Sequence, residues 1–363
     1  MTSRRQFLRF CIGAASSVVL AACGRSAAGI SGVAASGAAS ANQSSRGAAK
    51  LTIGYFPNVT HAPALVAVAQ NAFATALPAA SLDYKTFNAG PALVEALFAG
   101  AVDVGYVGPS PAINGYSQSK GQALRIIAGA MSGGASFVVR PAANVHSAAD
   151  LAGKKLATPQ LGNTQDVALR FCLQQNGLKT RDKSGTVDVV PTQNPDMVNL
   201  FRQNQIDGAW VPEPWASTLV LQAQGEVFLD ERSLWPNGKF SSVCVIASAK
   251  LLSAQPEVVG GVLRAHLSAI DFINREPEQA KRLAGDQITK LTSQPMPSNV
   301  LDRSFSTQDA TYDPLAASIL TGADHAFALG FLGGSKPDLS GLFDFSLLDA
   351  ALASAGLPAV PAS

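Results

Sequence analysis

Between residues 50 and 356, short runs rich in β-branched residues alternate with amphipathic stretches of helical period, and this alternation restricts the fold more than any other feature. The pattern predicts strands over 51–56, 82–87, 102–107, 124–130, 135–139, 155–158, 186–190, 206–211 and 241–247. Helical patterns occupy 61–76, 91–99, 110–119, 163–176, 195–204, 213–224, 257–274 and 277–290, and the C-terminal third is almost entirely helical. Such an order argues for an α/β fold with mostly parallel sheets, because parallel neighbours need a crossover that is usually a helix. The stretch is too long for one minimal domain and ample for two lobes with separate cores.

An internal echo supports two lobes. "LVEALFAGAVDVGYVGPSPA" (93–112) aligns without gaps to "MVNLFRQNQIDGAWVPEPWA" (197–216), pairing Leu93 with Met197, Val102 with Ile206, Asp103 with Asp207 and Tyr106 with Trp210. Each copy reads as helix, turn, strand, then a Pro-rich turn opening another helix. A weaker echo links "IGYFPNVTHA" to "ATPQLGNTQD". Related lobes would bring equivalent turns face to face across a cleft, where ligands of open α/β sheets bind beyond the strands' carboxyl ends.

The turns at those ends are Pro57–His61, Gly108–Pro111, Met131–Ser136, Gly162–Asp166 and Pro212–Trp215. Several open helices, whose first N–H groups lack intrahelical partners and favour negative charge. Their side chains are neutral or donors, namely Asn58, Thr60, His61, Ser110, Ser132, Asn163, Thr164 and Gln165, and none of the five turns contains Lys or Arg. The chemistry suits a small anion or polar ligand held by backbone amides and neutral donors.

Each candidate has a plainer use. His61 either donates to an oxyanion or satisfies a local carbonyl; Asn58 and Asn163 contact ligand or form turns and N-caps. Trp215 either stacks on ligand or joins the core, and Trp210, inside its strand, belongs to the core. Glu213, between two prolines in "VPEPW", points away from the cleft, pairs with a cation of its own lobe, or meets an amine on a zwitterionic ligand. Arg170 is expected to pair on a lobe surface, and His266 to sit on the surface of its helix.

The N-terminus carries a different signal. Arg4 and Arg5 precede Phe7 and Leu8 in a twin-arginine pattern, and an apolar run from Phe10 to Ala22 ends at Leu20-Ala21-Ala22-Cys23. That run is shorter than the roughly 20 residues needed to span a bilayer, so 1–23 reads as a signal peptide with a lipobox and Cys23 as the lipidated residue. Residues 24–49, mostly Ala, Ser and Gly, read as a flexible tether with a reach on the order of 28 Å.

Several function classes find no support. The formal charge of the 363-residue chain is +2, with no basic run interleaved with aromatics, so nucleic acid is not an expected partner. Cys172 and Cys244 are expected to be free thiols. Four scattered histidines, with no H-E-x-x-H, C-x-x-C, G-x-S-x-G or Walker pattern, indicate neither a metal, another cofactor nor a catalytic centre.

Taken in order, "FNAGPALVEALFAGAVDVGYVGPSPA", "GNTQDVALRFCLQQNGL", "IDGAWVPEPWAS" and the lipoprotein signal resemble a periplasmic substrate-binding protein of an ABC importer in the aliphatic-sulfonate/taurine/nitrate group. The nearest resemblance is to the aliphatic-sulfonate binders, through Ala89-Gly90-Pro91 and Glu95-Ala96-Leu97. The first turn departs from them at Phe56-Pro57-Asn58-Val59-Thr60-His61. The resemblance implies a type II two-lobed periplasmic-binding-protein fold, with lobe one at 50–137 plus 246–356 and lobe two at 138–245. Two hinge strands would cross near Val138–Arg140 and Cys244–Ile246. It also implies a monomeric, exported, lipid-anchored carrier that delivers a small anionic solute, a sulfonate first, to a permease and its ATPase. Nitrate or bicarbonate is the alternative, then a thiamine-pyrimidine precursor stacked on Tyr55, Phe56, Tyr106, Trp210 or Trp215. A second class, an enzyme on the same fold of the pyrimidine-synthase kind, carries a cysteine-rich motif that this chain lacks. Replacing Cys23 by Ala should release the protein from the membrane fraction with ligand binding unchanged, as fractionation and calorimetry would show.

Overall fold

The computed structural model describes residues 50–361; the signal peptide, Cys23 and the 24–49 tether lie outside the described residues. In chain order the strands are β1 (Lys50–Tyr55), β2 (Ser81–Thr86), β3 (Val104–Val107), β4 (Leu124–Gly133), β5 (Ala135–Val139), β6 (Lys155–Thr158), β7 (Asp188–Pro191), β8 (Gly208–Pro212), β9 (Glu226–Asp230), β10 (Ser241–Ser248) and β11 (Gln308–Ala310). They form two sheets, ordered β11-β4-β10-β3-β1-β2 and β7-β6-β8-β5-β9. The helices are α1 (Ala62–Ala69), α2 (Ala72–Ala76), α3 (Gly90–Phe98), α4 (Pro109–Gln118), α5 (Thr164–Gln175), α6 (Asn194–Arg202), α7 (Trp215–Ala223), α8 (Ala249–Ala254), α9 (Pro256–Arg275), α10 (Pro277–Thr292), α11 (Ser298–Ser306), α12 (Ala316–Ala328) and α13 (Ser346–Ser354).

The two sheets repeat one plan. In each, the first strand lies between two parallel partners: β1 between β2 and β3, and β6 between β7 and β8. A strand from elsewhere in the chain then adds antiparallel, β10 beside β3 and β5 beside β8. The aligned aspartates hold equivalent places. Asp103 accepts the Thr52 N–H at 2.8 Å and Asp207 the Lys155 N–H at 2.9 Å, each carboxylate fastening the first strand of its sheet. Arg140 pairs with Asp207 at 2.8 Å and braces the second of these fastenings.

Both faces of each sheet are covered. In the first lobe α1, α9, α10 and α13 bury Leu51, Ile53, Tyr55 and Val245 on one face, while α3, α4 and α12 bury Val107, Ile126 and Ile246 on the other. In the second lobe α5 covers Phe137, Leu156 and Trp210, and α6 and α7 cover Val138, Ala157 and Val211. The opposite-facing neighbours Val138 and Val139 show the period of two expected of strands covered on both sides.

The crossings between sheets differ from the expected ones. The chain leaves the first sheet at Gly133 and enters the second at Ala135, so β5, including Val138 and Val139, belongs wholly to the second sheet. Gly133 and Gly134 have φ of +80° and +72°, a region that L side chains rarely adopt, and this pair makes the change of direction. The return runs through two short 3-10 turns between Asp230 and Ser241 rather than through Cys244–Ile246, which lies inside β10.

Other expectations are corrected by packing. The 61–76 helix breaks at Asn71, which has φ of 55°. β9 and β11 carried no clear strand pattern. His266 is fully buried, its Nδ1 3.0 Å from the Tyr106 hydroxyl and its Nε2 2.7 Å from the Gly129 carbonyl oxygen, because α9 is enclosed on most of its circumference. Arg170 is buried rather than superficial and donates to Asp166 at 3.0 Å. Cys172 and Cys244 are free, the first only half-buried. Among the described residues, no helix is long and apolar enough to cross a membrane.

Candidate functional site

The carboxyl ends of β1, β2, β3, β6, β7 and β8 converge on one small cavity of about 20 Å³. Its wall contains Asn58, Thr60 and His61 after β1, Asn88 after β2, Gly108 after β3, Asn163–Gln165 after β6, Asn194 after β7, Pro212 at the end of β8, and Ser242 and Val243 of β10. No charged side chain lines it. The space admits about one water, so the lobes stand closed and must part before any larger molecule can enter.

Local folding explains how the first turn presents its groups. After β1 the chain makes a 3-10 turn, Val59–His61, closed by the His61 N–H donating to the Asn58 carbonyl at 2.9 Å. The Asn58 side chain does not cap this turn; its Oδ1 accepts the Trp215 indole N–H at 2.9 Å from the other lobe, leaving Nδ2 as a donor. His61 packs on Phe56, with ring centroids 4.3 Å apart, and its Nδ1 accepts the Phe56 N–H at 3.4 Å. Burial pushes the His61 pKa down to about 3. The ring is therefore neutral, and with Nδ1 accepting, the proton sits on Nε2.

The second turn uses ions as braces behind the wall. The buried Asp166 carboxylate accepts from Thr158 Oγ1, the Gly162 N–H and Arg170, which fixes the loop ahead of α5. Asn163 Oδ1 then accepts the Gly90 N–H of the other lobe at 3.3 Å, and its Nδ2 donates to Gln165 Oε1 at 2.9 Å. Gln165 keeps Nε2 as a donor. Thr164 Oγ1 accepts the Ser110 N–H at 3.4 Å, again between lobes. Asn194 is the exception, since its Oδ1 is buried without a partner among the described residues.

Six of the ten sequence candidates thus come together: Asn58, Thr60, His61, Asn163, Thr164 and Gln165. Four lie outside the cavity. Ser110 contributes its backbone to the Thr164 contact, Ser132 Oγ accepts the Phe240 N–H at 3.4 Å, and Trp215 positions Asn58. Glu213 is turned away. Its carboxylate accepts from the Ser217 N–H at 3.0 Å and from the hydroxyls of Ser304 and Thr307 at 3.1 and 3.3 Å. These bonds cap the start of α7 and tie it to α11, so no amine-reading role follows from its position, and burial raises its pKa. Tyr55, Tyr106 and Trp210 are core residues, and of the proposed stacking rings only Phe56 lines the cavity, covered by His61. Asn88, Asn194, Ser242 and Val243 were missed; the first two follow the same strand–turn–helix signal, whereas the β10 pair carries none.

Comparison with known proteins agrees with this architecture. Residues 44–286 match the NMT1-like family. The chain belongs to that family. A putative binding protein of Brucella abortus (strain 2308) is 32% identical over 199 residues, which cover 54% of this chain and 59% of that protein. The taurine-binding periplasmic protein of Escherichia coli K12 is 27% identical over 245 residues, covering 65% of this chain and 72% of that protein. Among solved structures, the alkanesulfonate-binding protein of Xanthomonas axonopodis pv. citri bound to MOPS aligns with a TM-score of 0.69 at 20% identity, covering 82% of this chain and 99% of that one. The periplasmic nitrate-binding protein of Synechocystis PCC 6803 aligns with a TM-score of 0.73 at 16% identity, over 87% and 92% of the two chains. This NMT1-like chain therefore has the two-lobed type II periplasmic-binding-protein fold, and its relatives are binding proteins.

Two measurements check the geometry. A Cβ on Gly108 would stand 2.3 Å from Thr164 Oγ1 across the cleft, so Gly108→Ala should weaken ligand binding roughly tenfold, about 1.4 kcal/mol, with the melting temperature preserved. His61 and His266, held by burial at about 3 and about 4 instead of 6.5, take up protons more readily when unfolded. Their contribution is complete above pH 6.5 and is lost as the pH falls toward those values. Glu231, raised by burial to about 7, acts oppositely: its contribution is present below pH 4.5 and lost as the pH rises through about 7. In calorimetry, His61→Gln should shrink the fall in melting temperature between pH 7 and pH 5; an unchanged fall would place His61 in water.

Proposed function

We propose that the protein is the extracytoplasmic solute-binding component of an ABC importer, closing its lobes around a small anion and delivering it to a permease and its ATPase. The supporting observation is the interlobe cavity itself, walled by neutral donors and free of charged side chains. Asn58 Nδ2, Gln165 Nε2, His61 Nε2–H and the Thr60 and Thr164 hydroxyls supply hydrogen bonds to an oxyanion. Neutral donors are individually weaker than charged ones, and several aimed at one anion add together.

An organic sulfonate is the first choice, in line with what the Escherichia coli and Xanthomonas relatives are named for. The unpartnered acceptor Asn194 Oδ1 favours a sulfonate that also bears a hydrogen-bond donor, such as taurine. The small size of the closed cavity favours the second reading, nitrate or bicarbonate. The lipobox cysteine Cys23 would hold the carrier at the membrane where its permease lies. The binding reading requires that the ligand leave unchanged.

Calorimetric titration and thermal shift with taurine, short alkanesulfonates, nitrate and bicarbonate decide among these. A true ligand at 100 times its Kd stabilises the fold by about 2.7 kcal/mol, and the affinity for a sulfonate or nitrate, neither of which titrates there, should be flat from pH 5.5 to 8 because His61 stays neutral. No shift from any sulfonate overturns the first choice, and no shift from any of the four overturns the anion reading.

A further inference from the structure

A second, much larger cavity of about 770 Å³ lies apart from the interlobe site. Its walls come from α5 of the second lobe, the 231–239 crossing, and α12 of the first lobe. That volume is typical of small-molecule sites, which run from about 300 to 1,000 Å³. The interior is mostly apolar and aromatic. Phe171 of α5 stacks on His325 of α12 with centroids 3.6 Å apart, and Trp235 stands 6.0 Å from the same His325 ring.

The polar groups on this wall have a definite sign. Glu231, 2% exposed, receives the Trp210 indole N–H on Oε2 at 2.7 Å. Trp235 Nε1 lies close enough to influence that carboxyl yet has no hydrogen-bond partner among the described residues. Asp313 adds a second carboxylate, accepting the Leu315 N–H at 2.8 Å. The cation on the wall, Lys239, is engaged by Asp309 at 2.6 Å, and burial lowers the pKa of His325. The chemistry is opposite to that of the interlobe cavity, with carboxyl groups and aromatic faces in place of neutral donors.

We propose that this cavity is a second ligand site, for a small aromatic or alicyclic amine whose ring lies among Phe171, Trp235 and His325 and whose ammonium group meets Glu231. A carboxyl group at the edge of an aromatic pocket attracts a cation by charge, and the ring faces attract it by their quadrupoles. A raised Glu231 pKa fits an acid that lacks a cationic partner while the pocket is empty. Because its walls belong to both lobes and to a crossing, an occupant touches every part that moves when the cleft opens.

The test uses 2-(1-naphthyl)ethylamine and its uncharged counterpart 2-(1-naphthyl)ethanol, titrated into the full chain by calorimetry. The amine should bind saturably and at least tenfold more tightly than the alcohol. Glu231→Gln, which keeps an acceptor for Trp210, should erase that gap. Ala317→Trp, at an exposed position on the cavity wall, should abolish binding of both while thermal unfolding and binding in the interlobe cleft stay unchanged. Equal affinity of amine and alcohol, absence of saturable binding, or binding that survives Ala317→Trp overturns the proposal.

Discussion

An anion enclosed between two protein lobes loses its hydration, and the walls must replace it without leaving a charge stranded when the ligand is gone. A buried cation would serve the bound state well but would stand unpaired in the empty one, at a penalty of several kcal/mol. Neutral donors avoid that conflict, and the cavity wall is built only from uncharged polar groups and apolar groups. His61 shows the rule most clearly, since burial keeps it uncharged and the Phe56 N–H on Nδ1 decides which nitrogen carries the proton. Formal charges are used one layer back, where Asp166 with Arg170 fixes the loop that presents Asn163 and Gln165, and at the far end of β6, where Asp207 with Arg140 fastens the start of the strand.

The repeat gives this wall two sides. Each sheet places its first strand between two parallel neighbours, so three carboxyl ends per lobe face the cleft. Asp103 and Asp207 secure the first strands in the same way, and Asn58 and Asn163 follow those strands at equivalent turns. The resulting site resembles two half-sites brought together, each insufficient alone to surround an anion.

Much of this was legible in the sequence because it is local. Period-two and period-3.6 patterns marked nine strands and the α/β plan, and the turns after β1 and β6 announced Asn58, His61 and Asn163 through residue type. What failed was nonlocal. β11 is three residues long and exists because β4 offers an edge. Ser242 reaches the cavity from a strand far along the chain. His266 looked superficial because its helix has polar neighbours, yet Tyr106 and Gly129, more than 130 positions away, enclose it. Glu213 was left with three readings for the same reason: the partners that turn it away from the cleft, Ser304 and Thr307, arrive about ninety residues later. The crossing was placed beyond β5 because nothing in a short apolar run tells which sheet will accept it, whereas the Gly133-Gly134 pair marks the change of direction.

Closure and donor orientation are one event in this geometry. Asn58 Oδ1 takes the Trp215 indole N–H, and Asn163 Oδ1 takes the Gly90 N–H, both from the opposite lobe. Each bond occupies the acceptor end of an amide; the Asn58 donor end stays free, and Asn163 Nδ2 donates to Gln165 Oε1, which leaves Gln165 Nε2 as the donor. In an open cleft these amides can rotate and offer either end to solvent, which gives no preference for an anion. The lobes thus acquire a donor-rich cavity only as they meet. A ligand shifts the equilibrium by its differential affinity for the two states, and here that difference resides in amides that the closed state alone has oriented.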